Sequence, residues 1–321
     1  MVKTIGIITP GGDAPGMNAA IRAVVRSAIF HGRKVIGIER GWEGLIRGEI
    51  FEMDLKSVGG IINHGGTILK TKRCPDFKKK AFRKVAISNL RRSGIDGLIV
   101  IGGDGSMRAA SLLSKESGIP VIHLPASIDN DIPYTDDTIG FDTAVNTALD
   151  AIDKIRDTAS SHERVFVVEV MGREAGHLAL EVGLTAGAEA IMIPEVKNSV
   201  KSVCKKLRDG ISRGKKSSIV VLAEGAGRAH DVAALIKKEL KLNVRVSVLG
   251  YIQRGGSPTA DSRKMASCFG EKAVELLLKG HQSKMIGIMS NKVAATDIQK
   301  VFRGKKKINM GDYRLADKLS I

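Results

Sequence analysis

Short runs of apolar, mostly β-branched residues bounded by glycine recur along the chain, and between them the apolar positions change to a spacing of three and four. The runs are Thr4 to Thr9, Lys34 to Ile38, Gly97 to Ile101, Pro120 to Leu124, Val165 to Val170, Ser218 to Leu222 and Val244 to Leu249. Near-continuous apolar runs suit strands covered on both faces, so these read as buried parallel strands. Val145, Ala148, Leu149, Ile152 and Ile155 make one helical stripe, and Ile21, Val24, Val25, Ala28 and Ile29 make another. Strands alternating with helices predict an α/β fold. At 321 residues and 43% hydrophobic content the chain is too long for one ordinary core. It should form two lobes, each a mostly parallel sheet flanked by helices, with the active site in the cleft between them. No repeat, low-complexity tract or flexible linker marks a boundary, so the lobes are expected to exchange segments.

Composition excludes several classes. No stretch approaches the roughly 18 apolar residues a membrane helix needs, and Met1 to Ile8 reads directly into a strand, so a cytoplasmic protein with no membrane partner is expected. Cys74, Cys204 and Cys268 form no Cys-x-x-Cys pair, which leaves neither a zinc site nor a disulfide framework. The net charge of +17 attracts anions. Aromatic residues are only 4% of the chain and do not interleave with the basic clusters, so phosphorylated metabolites explain the charge better than nucleic acid does. Lys78 to Lys80, Lys237-Lys238 and Lys305 to Lys307 read as solvated surface.

In sheets of this kind, functional residues gather where strands end and helices begin. Gly11 to Gly16, Gly102 to Ser106 and Ser127 to Asp131 all follow strands, and so do Met171-Gly172-Arg173, Glu224-Gly225 and Gln253 to Gly256. Neither glycine-rich motif fits a Walker loop or a dinucleotide fingerprint, and each alone is equally a tight turn. Asp129-Asn130-Asp131 alone is equally a turn or a helix cap. Together, small residues that admit a polyphosphate and carboxylates that take a proton or hold a divalent cation point to phosphoryl transfer.

Taken in order over nearly the whole chain, Gly11-Gly12-Asp13-Ala14-Pro15-Gly16-Met17-Asn18, Gly102-Gly103-Asp104-Gly105-Ser106, Ile128-Asp129-Asn130-Asp131, Met171-Gly172-Arg173 and Gln253-Arg254-Gly255-Gly256-Ser257-Pro258 resemble the phosphofructokinase family, in its bacterial ATP-dependent 6-phosphofructokinase form. The resemblance implies phosphorylation of fructose 6-phosphate at its 1-hydroxyl by ATP with Mg2+, a step of glycolysis. It implies Asp129 as general base, Asp131 as supporting carboxylate, and Arg173 and Ser127 as donors to the transferring group. Asp104 would be the metal ligand, and Gly12, Arg73, Cys74, Gly103, Gly105 and Ser106 would join it in the nucleotide pocket. Met171, Gly172, Glu224, Tyr251 and Arg254 would bind the sugar phosphate, with Arg164 and Arg245 reaching it from a neighbouring subunit of a homotetramer. Residues 1–140 plus 253–303 would form the nucleotide-binding lobe, and 141–252 plus 304–321 the sugar-phosphate lobe. Arg22, Arg26, Arg156, Glu189, Arg213 and Lys215 match an effector site for ADP or phosphoenolpyruvate.

The chain departs from the family pattern in places. Tyr251 stands where histidine is usual, so a phenol without charge would replace an imidazole at the phosphate. Arg108 and Ala109 replace the usual Met-Gly, Ala109 lying where glycine would admit the nucleoside. Trp42 aligns with an aromatic near the nucleotide but is equally a packing residue. Leu55, beside Lys56, replaces a basic effector residue. Pyrophosphate-using members typically carry Asp at Gly105 and Lys at Ala126, and this chain has neither, which favours ATP. The alternatives are a pyrophosphate-dependent or other sugar-phosphate kinase of the same fold, a non-catalytic sugar-phosphate sensor, or a basic nucleic-acid-binding protein.

Overall fold

The computed structural model describes residues 2–197 and 199–321. Its strands are β1 (Thr4–Ile8), β2 (Lys34–Ile38), β3 (Ile50–Met53), β4 (Gly97–Gly102), β5 (Val121–Pro125), β6 (Val165–Val170), β7 (Ala190–Met192), β8 (Ser218–Ala223), β9 (Val244–Val248), β10 (Lys284–Met289) and β11 (Lys292–Asp297). Its α-helices are α1 (Met17–Phe30), α2 (Gly41–Arg47), α3 (Lys80–Arg92), α4 (Asp104–Ser117), α5 (Phe141–Ser161), α6 (His177–Thr185), α7 (Val200–Ser212), α8 (Ala229–Leu240), α9 (Ala260–Leu278), α10 (Ile298–Arg303) and α11 (Met310–Leu319). Among the described residues no helix is long and apolar enough to cross a membrane.

The chain divides into two compact units. Unit 1 comprises Met1–Ser127, Ile132–Asp142 and Arg254–Lys306; unit 2 comprises Ile128–Asp131, Thr143–Gln253 and Lys307–Ile321.

Unit 1 holds a seven-stranded sheet in the order β11-β10-β5-β4-β1-β2-β3. The five inner strands are parallel, while β11 and β3 pair antiparallel at the two edges. Ile5, Ile7, Ile8 and Leu98 to Ile101 are fully buried, each stabilising the unit by roughly 1.5–3 kcal/mol. One face packs Ile8, Ile38, Leu98 and Val100 on Leu45 of α2, Leu90 of α3 and Leu113 of α4. Trp42 is only 5% exposed in this cluster and stacks on Phe77 with centroids 4.4 Å apart, and Ala109 packs against the same cluster. Trp42 is therefore a core residue of unit 1.

Unit 2 holds a four-stranded parallel sheet in the order β7-β8-β6-β9. Val167, Val220 and Leu222 pack on Leu207 of α7 and Ile236 of α8. The reading of β9 as buried needs correction. Its residues are intermediate or exposed because it is an edge strand, and the valines of Val-Arg-Val-Ser-Val only half cover it.

His123 sits inside the unit 1 sheet on β5, opposite Val100 of β4 and Met285 of β10. Burial lowers its pKa from 6.5 to about 3, against the opposing effect of the Gly102 backbone. The folded state therefore keeps this ring neutral where the unfolded chain would protonate it. Stability is retained above about pH 6.5 and falls as pH drops toward 3, by about tenfold in the folding constant per pH unit. Urea unfolding at pH 7 and pH 5 should show a smaller acid loss for His123→Leu than for the wild type.

Candidate functional site

In unit 1 the glycine-rich loops after β1 and β4 meet because those strands are parallel neighbours. Ser106 Oγ, buried, donates to the Pro10 carbonyl at 2.6 Å, and Thr71 Oγ1 donates to the Gly11 carbonyl at 2.7 Å. Gly11 has φ +96°, and a Cβ there would lie 2.8 Å from Ser106 Oγ, so glycine is required. Helices α1 and α4 start from Gly16 and Gly103 with no side-chain cap. By contrast α7, α9, α10 and α11 are capped by Ser199, Thr259, Asp297 and Asn309. Uncapped first-turn N–H groups suit an anion.

Asp104 lies in the first turn of α4, and its Oδ2 accepts from Arg108 Nε at 2.7 Å. Gly105 follows in the same turn, and a Cβ there would meet nothing within 4 Å, so packing does not dictate the missing side chain. Ala126, by contrast, is buried. Arg73 is exposed, and Cys74 is half-buried at the start of a 3₁₀ turn (Pro75–Lys78), with burial raising its thiol pKa. A Cβ at Gly12 would come within 3.4 Å of Arg254 Nη1, which brings Arg254 to the first glycine loop. Ser127 donates its backbone N–H to Ile139 at 3.0 Å, and its carbonyl accepts from Thr138 Oγ1 at 2.5 Å.

In unit 2 the centre is an ion pair. Arg173 Nε lies 3.2 Å from Asp129 Oδ2, the Asp129 side chain 4% exposed and that of Arg173 58% exposed. Arg173 adopts φ +52° and Asn130 φ +51°, left-handed values that cost non-glycine residues of order 1–3 kcal/mol each and persist only when neighbours enforce them. The enforcing neighbour of Arg173 is the turn after β8. Glu224 Oε1 accepts the Arg173 N–H at 2.7 Å, and Gly225 lies so close that a Cβ would sit 2.2 Å from the Arg173 carbonyl oxygen. Met171 N–H donates to Oε1 of the fully buried Gln253 at 3.0 Å. Gly172 follows at φ +132°. Asp131 is exposed, and so is Tyr251, at 80%.

Arg164 and Arg245 are not brought to this cluster. Arg164 precedes β6, and Arg245 pairs in register with Phe166 near the start of the same strand. Met171 and Arg173 follow the other end of β6, roughly 20 Å away at about 3.3 Å per residue.

Of the matched effector residues, the structure joins three. Lys215 Nζ lies 3.3 Å from Glu189 Oε1 and donates to the Ser320 carbonyl at 3.1 Å. Arg156 donates to the Ala186 and Gly187 carbonyls at 2.7 and 3.0 Å, with its Nη1 3.9 Å from Glu189 Oε1. Glu189 Oε2 accepts the Ile219 N–H at 2.6 Å, so its buried carboxylate is already committed to protein partners. Arg213 is exposed at the end of α7, Arg22 and Arg26 lie on α1, and Leu55 is exposed beside Lys56.

The profile of the family described as Phosphofructokinase matches residues 4–277. The chain belongs to the phosphofructokinase family. An ATP-dependent 6-phosphofructokinase of a Thermoanaerobacter species is 54% identical over 321 residues, all of both chains. The phosphofructokinase of Saccharomyces cerevisiae superposes with TM-score 0.91 at 35% identity over 99% of this chain, which spans 48% of that longer one. A pyrophosphate-dependent phosphofructokinase from Marinobacter aquaeolei superposes with TM-score 0.86 at 24% identity over all of this chain and 92% of its own. That likeness shows the fold alone, so the phosphofructokinase fold does not by itself choose the donor.

Two residues went unassigned by sequence reasoning although both stand inside quoted motifs. Gln253 acts through a partner 82 positions away and Gly225 through one 52 positions away, so only the fold shows what they do. Gly225→Ala should displace the Arg173 turn and lower kcat by about a hundredfold, since a displacement near 1 Å costs that much. Steady-state kinetics beside a thermal melt will check it, with a lowered but still cooperative melt expected from the backbone clash.

Proposed function

We propose that the chain transfers the γ-phosphoryl group of ATP to the 1-hydroxyl of fructose 6-phosphate, giving fructose 1,6-bisphosphate and ADP, a glycolytic step of the cytoplasm. The observation that carries the reading is the buried Asp129 carboxylate paired with Arg173 at the end of β6. Asp129 takes the proton from the sugar hydroxyl as its oxygen bonds to the γ-phosphorus. The bond from that phosphorus to the bridging oxygen breaks, and ADP leaves with the electron pair. Arg173, largely exposed beyond its contact with Asp129, meets the charge spreading over the equatorial oxygens, and Ser127 adds a donor. Asp131 supports the loop's negative field.

Unit 1 supplies the nucleotide's contacts: the glycine loops with Gly12, Gly103, Gly105 and Ser106, the uncapped start of α4, and Arg73 beside Cys74. Among the described residues no three His, Cys, Asp or Glu side chains cluster as a metal cage. Magnesium that enters with a polyphosphate needs only one or two carboxylates, and partly exposed Asp104 at the head of α4 fits that demand. Asp104 would hold the ion there, and the ion would supply charge neutralisation to the bound polyphosphate. The open space at Gly105 leaves room for a third phosphate, which supports ATP over pyrophosphate.

Met171, Gly172 and Glu224 hold the sugar, with Arg254 and Tyr251 toward its 6-phosphate. Arg164 and Arg245 lie at the far ends of their strands, so they serve the site of another copy, and the working enzyme is an oligomer, a homotetramer in our reading. Arg156 and Lys215 form the cationic part of an effector site for ADP or phosphoenolpyruvate, with Glu189 holding them in place.

Asp129→Asn should lower kcat by about two to four orders of magnitude with KM for fructose 6-phosphate kept within a few-fold. A coupled assay with ATP will read this, and an unchanged kcat would remove Asp129 from the role. Mixing inactive Asp129→Asn with inactive Arg245→Ala subunits should restore activity, because some sites then draw an intact residue from each chain. Hybrids as inactive as their parents would place both residues in one subunit's site.

A further inference from the structure

Arg108 occupies an unusual setting for a surface arginine. It sits one turn after Asp104 on α4, donates from Nε to Asp104 Oδ2 at 2.7 Å, and lays its guanidinium 4.7 Å from the centroid of the Phe302 ring on α10. Phe302 is itself seated, packing on a small cluster of Met107, Ile132, Met285, Ile298 and Val301. Met107, the neighbour of Arg108, is fully buried in that cluster. An exposed pair four residues apart on a helix usually contributes little, because two long side chains must be immobilised to keep it. Here the planar guanidinium stacks on a ring and donates from its edge at once, which a lysine ammonium cannot do.

We propose that Arg108 is a positioning residue for the metal–nucleotide complex: braced on Phe302, it fixes the Asp104 carboxylate through Oδ2 and adds positive charge at the head of α4. The inference rests on the reading of Asp104 as the metal ligand. Fixing one carboxylate oxygen restricts the Asp104 rotamer while leaving the second oxygen to accept a ligand. The guanidinium charge also sorts what binds. It repels a bare divalent cation, yet attracts the same cation carried by a polyphosphate, whose complex is anionic overall. Metal is thereby admitted with its nucleotide.

The test is binding of Mn2+·ADP to the full chain, read from the loss of the free Mn2+ electron paramagnetic resonance signal, beside Mn2+ alone. Arg108→Met should weaken Mn2+·ADP about tenfold and leave Mn2+ alone bound no more weakly than in the wild type. Phe302→Leu, which keeps the charge but removes the ring, should weaken the complex about threefold. Asp104→Ala should weaken it at least as much as Arg108→Met. If Asp104→Ala weakens the complex while Arg108→Met stays within twofold of wild type, the role of Arg108 is overturned and Asp104 keeps its own. If Asp104→Ala leaves binding unchanged, the reading of Asp104 falls, and this inference falls with it.

Discussion

Unit 2 is organised around a carboxylate that cannot be buried alone. A carboxylate almost out of contact with water calls for a partner, and Arg173 pairs with Asp129. To reach it the chain leaves β6 through Gly172 and takes Arg173 into a left-handed conformation that an arginine does not choose unaided. Glu224 and Gly225, after β8, enforce that conformation through a hydrogen bond and a close backbone approach. Gln253, after β9, holds Met171 just upstream. Three neighbouring strands thus end in turns that converge on one charge pair, which is why a sheet with its functional residues at the carboxyl edge suits the chemistry. Because the carboxylate is covered and the guanidinium is not, the pair presents its positive side to an incoming anion.

Six inner strands (β1, β2, β4, β5, β6 and β8) were legible because burial on both faces leaves continuous apolar runs, and every run read from the sequence, the edge strand β9 included, is a strand. The strands that escaped notice lack that signature for physical reasons. β3 and β11 are edge strands whose residues are largely exposed, and β7 is three residues long. β10, Lys-Met-Ile-Gly-Ile-Met, carries two methionines where the recognised runs carry more β-branched residues, so its strand signature is weaker. Asp129, Arg173 and Glu224 stood out as motif members, but their hydrogen-bond geometry could not, since it joins residues dozens of positions apart. Trp42 shows the reverse case, an aromatic suggestive by position whose stacking on Phe77 makes it part of the core.

Helix ends carry a related distinction. A serine, threonine, aspartate or asparagine accepts from the first turn of α7, α9, α10 and α11, whereas α1, α2, α3, α4, α6 and α8 begin with no side-chain cap. At α1 and α4 glycine takes that place, and the Met17 N–H already donates to the Ala14 carbonyl and the Ser106 N–H to the Gly103 carbonyl. A glycine in place of such a cap gives up only about a few tenths of a kcal/mol, so these two starts cost the fold little. Nor does the packing of unit 1 forbid a side chain at Gly105.

Strand direction sets the final constraint. Parallel pairing puts all carboxyl ends of the unit 2 sheet on one edge, and there stand Met171, Arg173 and Glu224. The same rule puts Arg164 and Arg245 on the opposite edge, and no side-chain rearrangement overcomes a strand's length. Both arginines are far from fully buried, and an arginine pair can bind phosphate bidentately and specifically. Residues on the two edges therefore cannot reach one small ligand bound to a single copy of the sheet.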